Sequence, residues 1–340
     1  MLKPALKRSL RVLLAALGRQ NRTPRQPALL ILMYHRVLPP DHADMPIIQP
    51  GMVVQPETLG MHLRLLRERF ECVHLGDWLT RRARGQPLPN KACAITFDDG
   101  WRDNYDHAFP VLQAAGMPAT IFLVSDMVGT PDTFWPERLA RLLWNRGRGQ
   151  PAAVWARGEF DWLRALGVAC PVGQRAPTRS EIDGIIQRCK RYSEAAIQQK
   201  LHAMLAHVPQ AEDAMTPDIL DWGQVNEMAA SGLVRFGSHT RHHVRLGDAL
   251  DPSLLLDEVR TSREIIEQHT PGSADLFCYP NGDYTPGVRR LVQDHYQAAC
   301  TTEKGWNGLA ADAHALKRIG VHQDVACDET AFLARLSGWF

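Results

Sequence analysis

The stretch CAITFDDGWRDNY, residues 93–105, joins an apolar, β-prone run to two adjacent carboxylates and a glycine. The apolar run predicts a buried strand that ends at Asp98 and Asp99. Successive side chains of a strand point in different directions, so these two carboxylates face different neighbours. Two like charges side by side are costly unless a cation lies nearby. The pair therefore predicts divided roles, in which one carboxylate binds a metal ion and the other faces the reacting water.

A solvated Asp-Asp-Gly turn is the alternative interpretation of the same residues, because such turns commonly follow strands. A calcium-binding loop fits poorly, since Gly100 comes too early for the pattern D-x-[DN]-x-[DN]-G. The choice between a metal site and a turn depends on the polar residues that the fold brings nearby.

Strand patterns alternate with helical patterns on both sides of this stretch. The predicted strands are 26–35, 93–97, 119–125, 232–240, 274–282, 296–305 and 316–321. The predicted helices among them include 56–70, 105–116 and 252–268. This alternation favours a parallel sheet with helical crossovers, and this number of strands favours a barrel. The sequence predicts an α/β fold, a distorted (β/α) barrel with about seven parallel strands and a mostly helical insertion.

The alternation stops at about residues 127–225, where five of the nine tryptophans and long helical patterns occur. Most of these tryptophans are expected to pack between helices. We predict a basic N-terminal segment at 1–25 and a barrel in two pieces at 26–126 and 226–325. The insertion is predicted at 127–225, and a C-terminal helix or tail at 326–340.

The composition excludes some partners. The net charge is +2 and no basic stripe stands out, so a nucleic-acid partner is not expected. The seven cysteines occur singly, with no CxxC pair. This spacing argues against a disulfide framework or a thiolate zinc site and favours a reducing compartment.

Residues 1–25 contain seven Lys or Arg residues and no Asp or Glu, with leucines at helical spacing. This pattern predicts a basic amphipathic helix suited to an anionic membrane surface. A helix packed on the domain and a signal peptide are the alternatives. The apolar run Val12–Leu17 is shorter than the usual secretory core of about 7–15 residues. We therefore expect a cytoplasmic protein that contacts the inner face of the membrane, with export as the alternative.

Polar groups end several predicted strands, at the face where a parallel β/α fold places its site. These ends are YHR (34–36), DDG (98–100), SHTRHH (238–243) and YPNG (279–282). His239 and His243 would share a face if the chain turned helically after the strand. Two histidines and a carboxylate, with water in the remaining position, form a familiar hydrolytic zinc site. HxxxH alone is a weak signal, because surface or core histidines are common and His242 also shares a helical side with His239.

Three motifs in this order, TFDDGWRDNY, GSHTRHHVRL and FCYPNG, resemble those of the polysaccharide deacetylase (NodB-homology) family. The resemblance implies that Asp98 is the catalytic base and that Asp99, His239 and His243 bind the metal. It assigns no role to His242. LMYHRV resembles the branch with the poly-N-acetylglucosamine deacetylases, which implies that His35 is the general acid. A histidine that merely ends a buried strand is the alternative for His35.

The chain departs from the family pattern at Cys278, where many members carry an arginine that pairs with the base. The resemblance therefore leaves that pairing without an arginine. For the substrate, it implies that the YPNG turn borders the acetyl pocket, with Tyr279 and Pro280 near it and the Asn281 N–H as an oxyanion donor. Trp101, directly after the DDG motif, is expected to line the groove.

The expected function is metal-dependent removal of N-acetyl groups from an amino-sugar polysaccharide, oligosaccharide or lipid-linked glycan. Such a reaction belongs to cell-envelope or exopolysaccharide metabolism. One divalent ion is implied, zinc first, although cobalt, nickel or iron also suit an Asp-His-His site. The alternatives are a deformylase or O-acetyl esterase acting on a lipid-linked sugar, and an inactive carbohydrate-binding protein.

Overall fold

The structure is a computed structural model that describes residues 4–146, 155–168, 177–207, 217–247 and 250–338. The chain forms two compact units. The larger unit comprises Met1–Pro39, Val53–Thr130 and Pro217–Phe340, and the smaller comprises Pro40–Met52 and Pro131–Thr216.

The larger unit is built on parallel strands. In chain order the described strands are β1 (Ala28–Tyr34), β2 (Arg36–Val37), β3 (Val53–Val54), β4 (Glu71–Cys72), β5 (Lys91–Phe97), β6 (Ala119–Leu123), β7 (Val234–Ser238), β8 (Leu276–Cys278), β9 (Ala298–Lys304), β10 (Asn307–Gly308) and β11 (Leu316–Gly320). Within the described residues, seven of them form a closed ring in the order β1-β5-β6-β7-β8-β9-β11, and every pair in the ring is parallel. The predicted seven-stranded (β/α) barrel is confirmed.

The ring closes through β1, whose seven residues are almost all buried and pair along their length with β5. The other edge of β1 pairs with β11 at Leu32 and Met33. An apolar run without alternation suits such a strand, because both of its faces pack against protein. Parallel closure places all carboxyl ends of the strands at one end of the barrel, where YHR, DDG, SHTRHH and YPNG follow β1, β5, β7 and β8.

Helices follow most of these strands. In chain order the described α-helices are α1 (Pro4–Leu17), α2 (Pro56–Arg67), α3 (Leu75–Ala83), α4 (Phe109–Ala115), α5 (Trp135–Arg146), α6 (Asp161–Ala165), α7 (Arg179–Cys189), α8 (Glu194–Leu205), α9 (Trp222–Ala230), α10 (Pro252–Leu256), α11 (Ser262–His269), α12 (Pro286–His295), α13 (Gln323–Ala326) and α14 (Glu329–Leu336). Two π-helical turns, Asn104–Ala108 and Asp257–Thr261, lead into α4 and α11. Among the described helices, none combines the length and the apolar composition needed to cross a bilayer.

Helices α5 to α8 belong to the smaller unit, and Trp155, Trp162 and Leu163 lie in its own apolar core. Its bounds correct the predicted insertion at 127–225. Residues 40–52 belong to it, because Arg179 donates to the carbonyl oxygens of Ile48 and Gln49 at 2.6 and 2.9 Å. The local pattern predicts 40–52 as part of the barrel, because bonds to residues more than a hundred positions away leave no trace in it.

The other end of the predicted insertion is also corrected. Residues 217–225 belong to the barrel unit, because Ile219 forms a backbone bridge with Trp101 and the Arg102 N–H donates to the backbone carbonyl oxygen of Asp218 at 2.7 Å. Residues 127–130 lie in the barrel unit as well.

Candidate active site

Asp98 and Asp99 directly follow β5 and are both buried. The Asp98 N–H donates to the carbonyl oxygen of Tyr34 at 3.0 Å, which extends the pairing with β1 by one residue. Asp99 then takes a left-handed conformation with φ 78°. Strained backbone of this kind occurs often at functional sites. The turn gives the two adjacent carboxylates separate partners, as the sequence predicted.

Asp98 forms a two-point ion pair with Arg318 of β11. Nη1 and Nη2 of Arg318 each lie 2.7 Å from one oxygen of the carboxylate. The guanidinium is itself fully buried and also donates to Thr96 Oγ1 and to the carbonyl oxygen of Thr301. Burial alone would raise the pKa of Asp98, but the charge and hydrogen bonds of Arg318 outweigh it and hold that pKa well below its usual range. Asp98 is therefore ionised and fixed in direction.

Arg318 supplies the arginine that the family pattern places at position 278. Cys278 Sγ lies 3.0 Å from Arg318 Nη2, so residue 278 faces the guanidinium. The small thiol at 278 leaves room for an arginine that reaches Asp98 from another strand. Asp98 therefore has an arginine partner even though residue 278 is a cysteine.

Asp99, His239 and His243 form a second group beside this pair. Asp99 Oδ1 lies 3.5 Å from His239 Nε2 and 3.5 Å from His243 Nε2. Burial lowers the pKa of His239 to about 4, so this imidazole is neutral at pH 7. Its Nδ1 is 2.8 Å from the carbonyl oxygen of Cys278, a contact that holds the proton on Nδ1 and leaves the Nε2 lone pair towards Asp99. One carboxylate oxygen and two imidazole nitrogens are a donor set that suits a divalent ion such as zinc.

A second set of donors, Asp98, His239 and Cys278, is also compact enough to hold an ion. This second set is less suited to bind a metal ion. Arg318 occupies both oxygens of Asp98. Burial raises the pKa of the Cys278 thiol well above its usual range, and the thiol rather than the thiolate is a weak ligand. Asp99, His239 and His243 are the better metal site among the described residues.

The segment that carries His239 and His243 is not helical. The prediction that a helical turn brings these two histidines onto one face is therefore wrong. The His239 N–H donates to the carbonyl oxygen of Leu123 at 2.8 Å, so the residue continues the edge of β7 towards β6. Thr240 and His243 then take left-handed φ values of 67° and 61°. These turns bring the two imidazole rings to a centroid distance of 5.0 Å.

Glu258 fixes the backbone between the two histidines. Its fully buried carboxylate accepts the N–H groups of Arg241 and His242 at 3.0 and 2.9 Å. Its other oxygen lies 2.7 Å from His242 Nδ1, and Asp126 lies 3.2 Å from His242 Nε2. These contacts direct His242 away from Asp99, which agrees with its lack of a role in the family motif. Glu258 lies in the second π-helical turn, and such turns are frequent at functional sites.

Replacement of Glu258 tests this positioning role. We expect Glu258→Ala to lower the affinity for Zn²⁺ or Co²⁺ by about 10–100-fold, because outer residues orient the ligands. Glu258→Gln keeps an oxygen for the two backbone N–H groups and should recover most of the affinity. Competition with a chelating dye measures this, and the Co²⁺ absorption spectrum reports the ligand geometry. Glu264→Ala, an exposed glutamate nearby, is the matched control, and unchanged affinity in Glu258→Ala would refute the role.

His35 lies beside Asp98, at the end of β1. Its Nε2 is 4.0 Å from Asp98 Oδ2, and the side chain is partly exposed. The residues after DDG hold it there. Asn104 Nδ2 donates to the carbonyl oxygen of His35 at 2.8 Å, and Asp103 accepts Arg36 Nε at 2.7 Å. The structure thus places the predicted acid next to the predicted base.

Trp101 is only 1% exposed, so its ring has no open face for a sugar. The expectation that Trp101 lines the groove is corrected. Its Nε1–H donates to Asp99 Oδ2 at 2.8 Å, while the Arg36 guanidinium stacks on its ring at 4.3 Å. Trp101 therefore orients the carboxylate that faces the two histidines.

The YPNG turn is divided between core and surface. Tyr279 is buried, stacks on Tyr284 and donates its hydroxyl to the carbonyl oxygen of His314, so its side chain is structural. Pro280 is buried as well. Asn281 is exposed and left-handed, with φ 55°. The predicted position of this turn beside an acetyl pocket, with the Asn281 N–H as an oxyanion donor, stays a prediction.

Sequence reasoning missed four residues that hold the site, namely Arg318, Glu258, Asp103 and Asn104. Arg318 had a usable signal, because it shares the inward face of a short strand with Leu316 while Lys317 between them is exposed. A charge on that face calls for a buried partner. Nothing local marks Glu258, whose partners are 16 and 17 residues away.

These polar groups lie together at the carboxyl end of a closed parallel barrel, which is where a parallel β/α fold places its site. The family model described as "Polysaccharide deacetylase" matches residues 85–147 and 179–299, more than half of the chain. The chain therefore belongs to the polysaccharide deacetylase family.

A relative and two solved structures give the context. The chain is 37% identical over 84 residues to the poly-beta-1,6-N-acetyl-D-glucosamine N-deacetylase of Escherichia coli K12, a match to 24% of this chain and 12% of that protein. Deacetylase PplD from Streptococcus pyogenes has a TM-score of 0.58 at 16% identity, over 92% of this chain and 99% of that one. IcaB from Ammonifex degensii has a TM-score of 0.55 at 20% identity, over 92% and 100%. At these identities the solved structures support the fold alone.

Proposed function

We propose that the protein removes N-acetyl groups from an amino-sugar glycan of the cell envelope or an exopolysaccharide, and that it needs a divalent metal ion. One observation carries the proposal. Asp98 paired with Arg318, the Asp99–His239–His243 group, and His35 all meet at one end of the barrel. The relative from Escherichia coli acts on poly-beta-1,6-N-acetyl-D-glucosamine by its name, which supports a polymer of this type as substrate.

Asp99, His239 and His243 would hold the ion. When bound, a divalent ion there supplies Lewis acidity for an amide carbonyl and for water. The chain's own residues prepare this donor set, since Trp101 orients Asp99 and the Cys278 carbonyl orients His239. Zinc is our first choice, because two imidazoles and a carboxylate with an open position are typical of catalytic zinc.

Asp98 acts as the general base in this proposal. Arg318 keeps it ionised and holds it rigidly, so that it accepts a proton from the attacking water. His35 acts as the general acid. Its Nε2 lies on the Asp98 side of the site, and a proton delivered there reaches the departing amine, which is otherwise a poor leaving group. The products are acetate and a free amino sugar.

Metal content tests the assignment of the ligands. We expect His243→Asn to bind markedly less Zn²⁺ than the wild type, because one of three protein ligands is lost. His242→Asn is the matched control from the same motif and should keep wild-type metal content, since His242 contacts Glu258 and Asp126 instead. Elemental analysis after dialysis gives the result. Equal metal loss in both variants, or in neither, would contradict the assignment.

A substrate panel tests the activity itself. The full chain with Zn²⁺ is incubated with β-1,6-linked N-acetylglucosamine oligomers, with chitin oligomers and with an O-acetylated sugar, and acetate is measured. Release from the N-acetyl substrates that a chelator abolishes supports the proposal. Release only from the O-acetylated sugar would replace it with an esterase.

We also propose that the protein works in a reducing compartment. Each described cysteine is a free thiol, including pairs that lie directly opposite each other on neighbouring strands. A fusion to a reporter that is active only after export tests this, and an active reporter would contradict it.

A further inference from the structure

The N-terminal helix α1 is fixed firmly to the barrel unit. It packs against α14, and its last carbonyl groups accept bonds from the side chains of Gln20 and Asn21. These bonds satisfy groups that a helix end leaves open. The Arg19 guanidinium stacks on Trp306 at 4.8 Å, and Lys91 Nζ donates to the carbonyl oxygen of Gln20 at 3.0 Å. The orientation of α1 is therefore set by the fold.

This orientation leaves a large part of the apolar surface of α1 uncovered. Leu10 and Leu14, four residues apart on one stripe, are half-buried. Leu13 and Leu17 form the neighbouring stripe and are 52% and 59% exposed, and Val12 is 54% exposed. In a soluble helix the apolar stripe normally faces the core. Here a second stripe faces outward, and these three side chains are among the few large apolar ones that the described residues expose.

The N-terminal segment that carries this stripe is positively charged. Residues 1–25 hold no acid, and the arginines at 11, 22 and 25 are exposed. Exposed leucines have no use in contacts to nucleic-acid phosphates, whereas an apolar stripe beside arginines suits a membrane surface with negative headgroups. The positive charge and the exposed apolar side chains thus both indicate an anionic membrane surface as the partner.

We propose that α1 lies in the surface of an anionic phospholipid bilayer, with Val12, Leu13 and Leu17 inserted at the edge of the acyl region. The exposed arginines contact lipid phosphates in this arrangement. The proposal concerns where the enzyme sits and does not depend on the reaction that it catalyses.

Co-sedimentation of the full chain with lipid vesicles tests the proposal. The vesicles are phosphatidylcholine alone and phosphatidylcholine with phosphatidylglycerol. We expect binding to the anionic vesicles that weakens with added salt and is about tenfold weaker or more on neutral vesicles. Leu13→Ser with Leu17→Ser should weaken binding by about tenfold or more, because the apolar contact is lost.

Two further variants keep the test decisive. Arg11→Gln, Arg22→Gln and Arg25→Gln together keep the apolar stripe and should also weaken binding to anionic vesicles. Leu309→Ser, an exposed leucine elsewhere (45% exposed), is the matched control and should bind like the wild type. Absence of binding to anionic vesicles, or equal binding by the Leu13 and Leu17 variant, overturns the proposal. A wild-type dimer in solution that this variant separates would also overturn it, by assigning the stripe to a second copy of the chain.

Discussion

Replacement of Asp98 by Asn should reduce deacetylation by about 10²–10⁴-fold, the usual contribution of a positioned general base. An amide cannot accept the proton of the attacking water, although it fills nearly the same space. The metal content should be unchanged, because both oxygens of Asp98 accept from Arg318 and the better donor set is Asp99, His239 and His243. Acetate release and elemental analysis on the same preparation measure both effects.

Asp99→Asn is the sharpest comparison, since it makes the same chemical change one residue along the chain. Asp99 lies 3.5 Å from both histidine nitrogens, so this variant should lose metal affinity as well as activity. Identical metal content in the two variants would contradict the division of labour between the adjacent carboxylates. Full activity of Asp98→Asn would remove Asp98 from the role of base.

The second large effect is on stability. We expect Arg318→Met to lower the free energy of unfolding by about 3–5 kcal/mol, because it leaves the Asp98 carboxylate buried without its counter-charge. Urea unfolding monitored by tryptophan fluorescence measures this. Activity should fall too, since Asp98 loses the group that fixes its direction.

Two comparisons separate this effect from simple loss of an arginine. In Asp98→Asn with Arg318→Met neither charge of this pair remains, so the double variant should be more stable than Arg318→Met alone. Arg235→Met breaks a two-point pair with Asp77 that is exposed, and should cost about 1 kcal/mol or less. Equal losses in Arg318→Met and Arg235→Met would contradict the buried pair as a source of stability.

The barrel and the residues gathered at its carboxyl end could be predicted because their signals are local. Each strand of the barrel is predicted by its own apolar run. Polar residues follow the ends of three of these runs, namely His35, Asp98, Asp99, His239 and His243. A parallel fold then gathers those ends without further information. The structure places these five residues together as the motifs implied.

The supporting residues could not be predicted in the same way, because their partners are distant in sequence. Arg318 reaches Asp98 across 220 residues. The role of Trp101 depends on Arg36 covering its ring, and the sequence alone suggested an exposed tryptophan instead. The motifs thus predicted which side chains meet at the site, whereas the packing decided which side chains hold them.

The two π-helical turns show how packing supports the site. Asn104 in the first holds the backbone of His35, and Glu258 in the second holds the segment between the two histidines. Both turns begin the helix that follows a site loop. His35 and the segment between His239 and His243 are therefore each tied to the start of a helix.

The most direct test of the account is the stoichiometry of acetate and free amine formed from N-acetylglucosamine oligomers by the full chain with Zn²⁺. We expect equal amounts of the two products, loss of both on chelation, and recovery when Zn²⁺ is restored. Bound Zn²⁺ with no acetate or amine from any N-acetylated glycan would contradict the central claim that this site is a deacetylase.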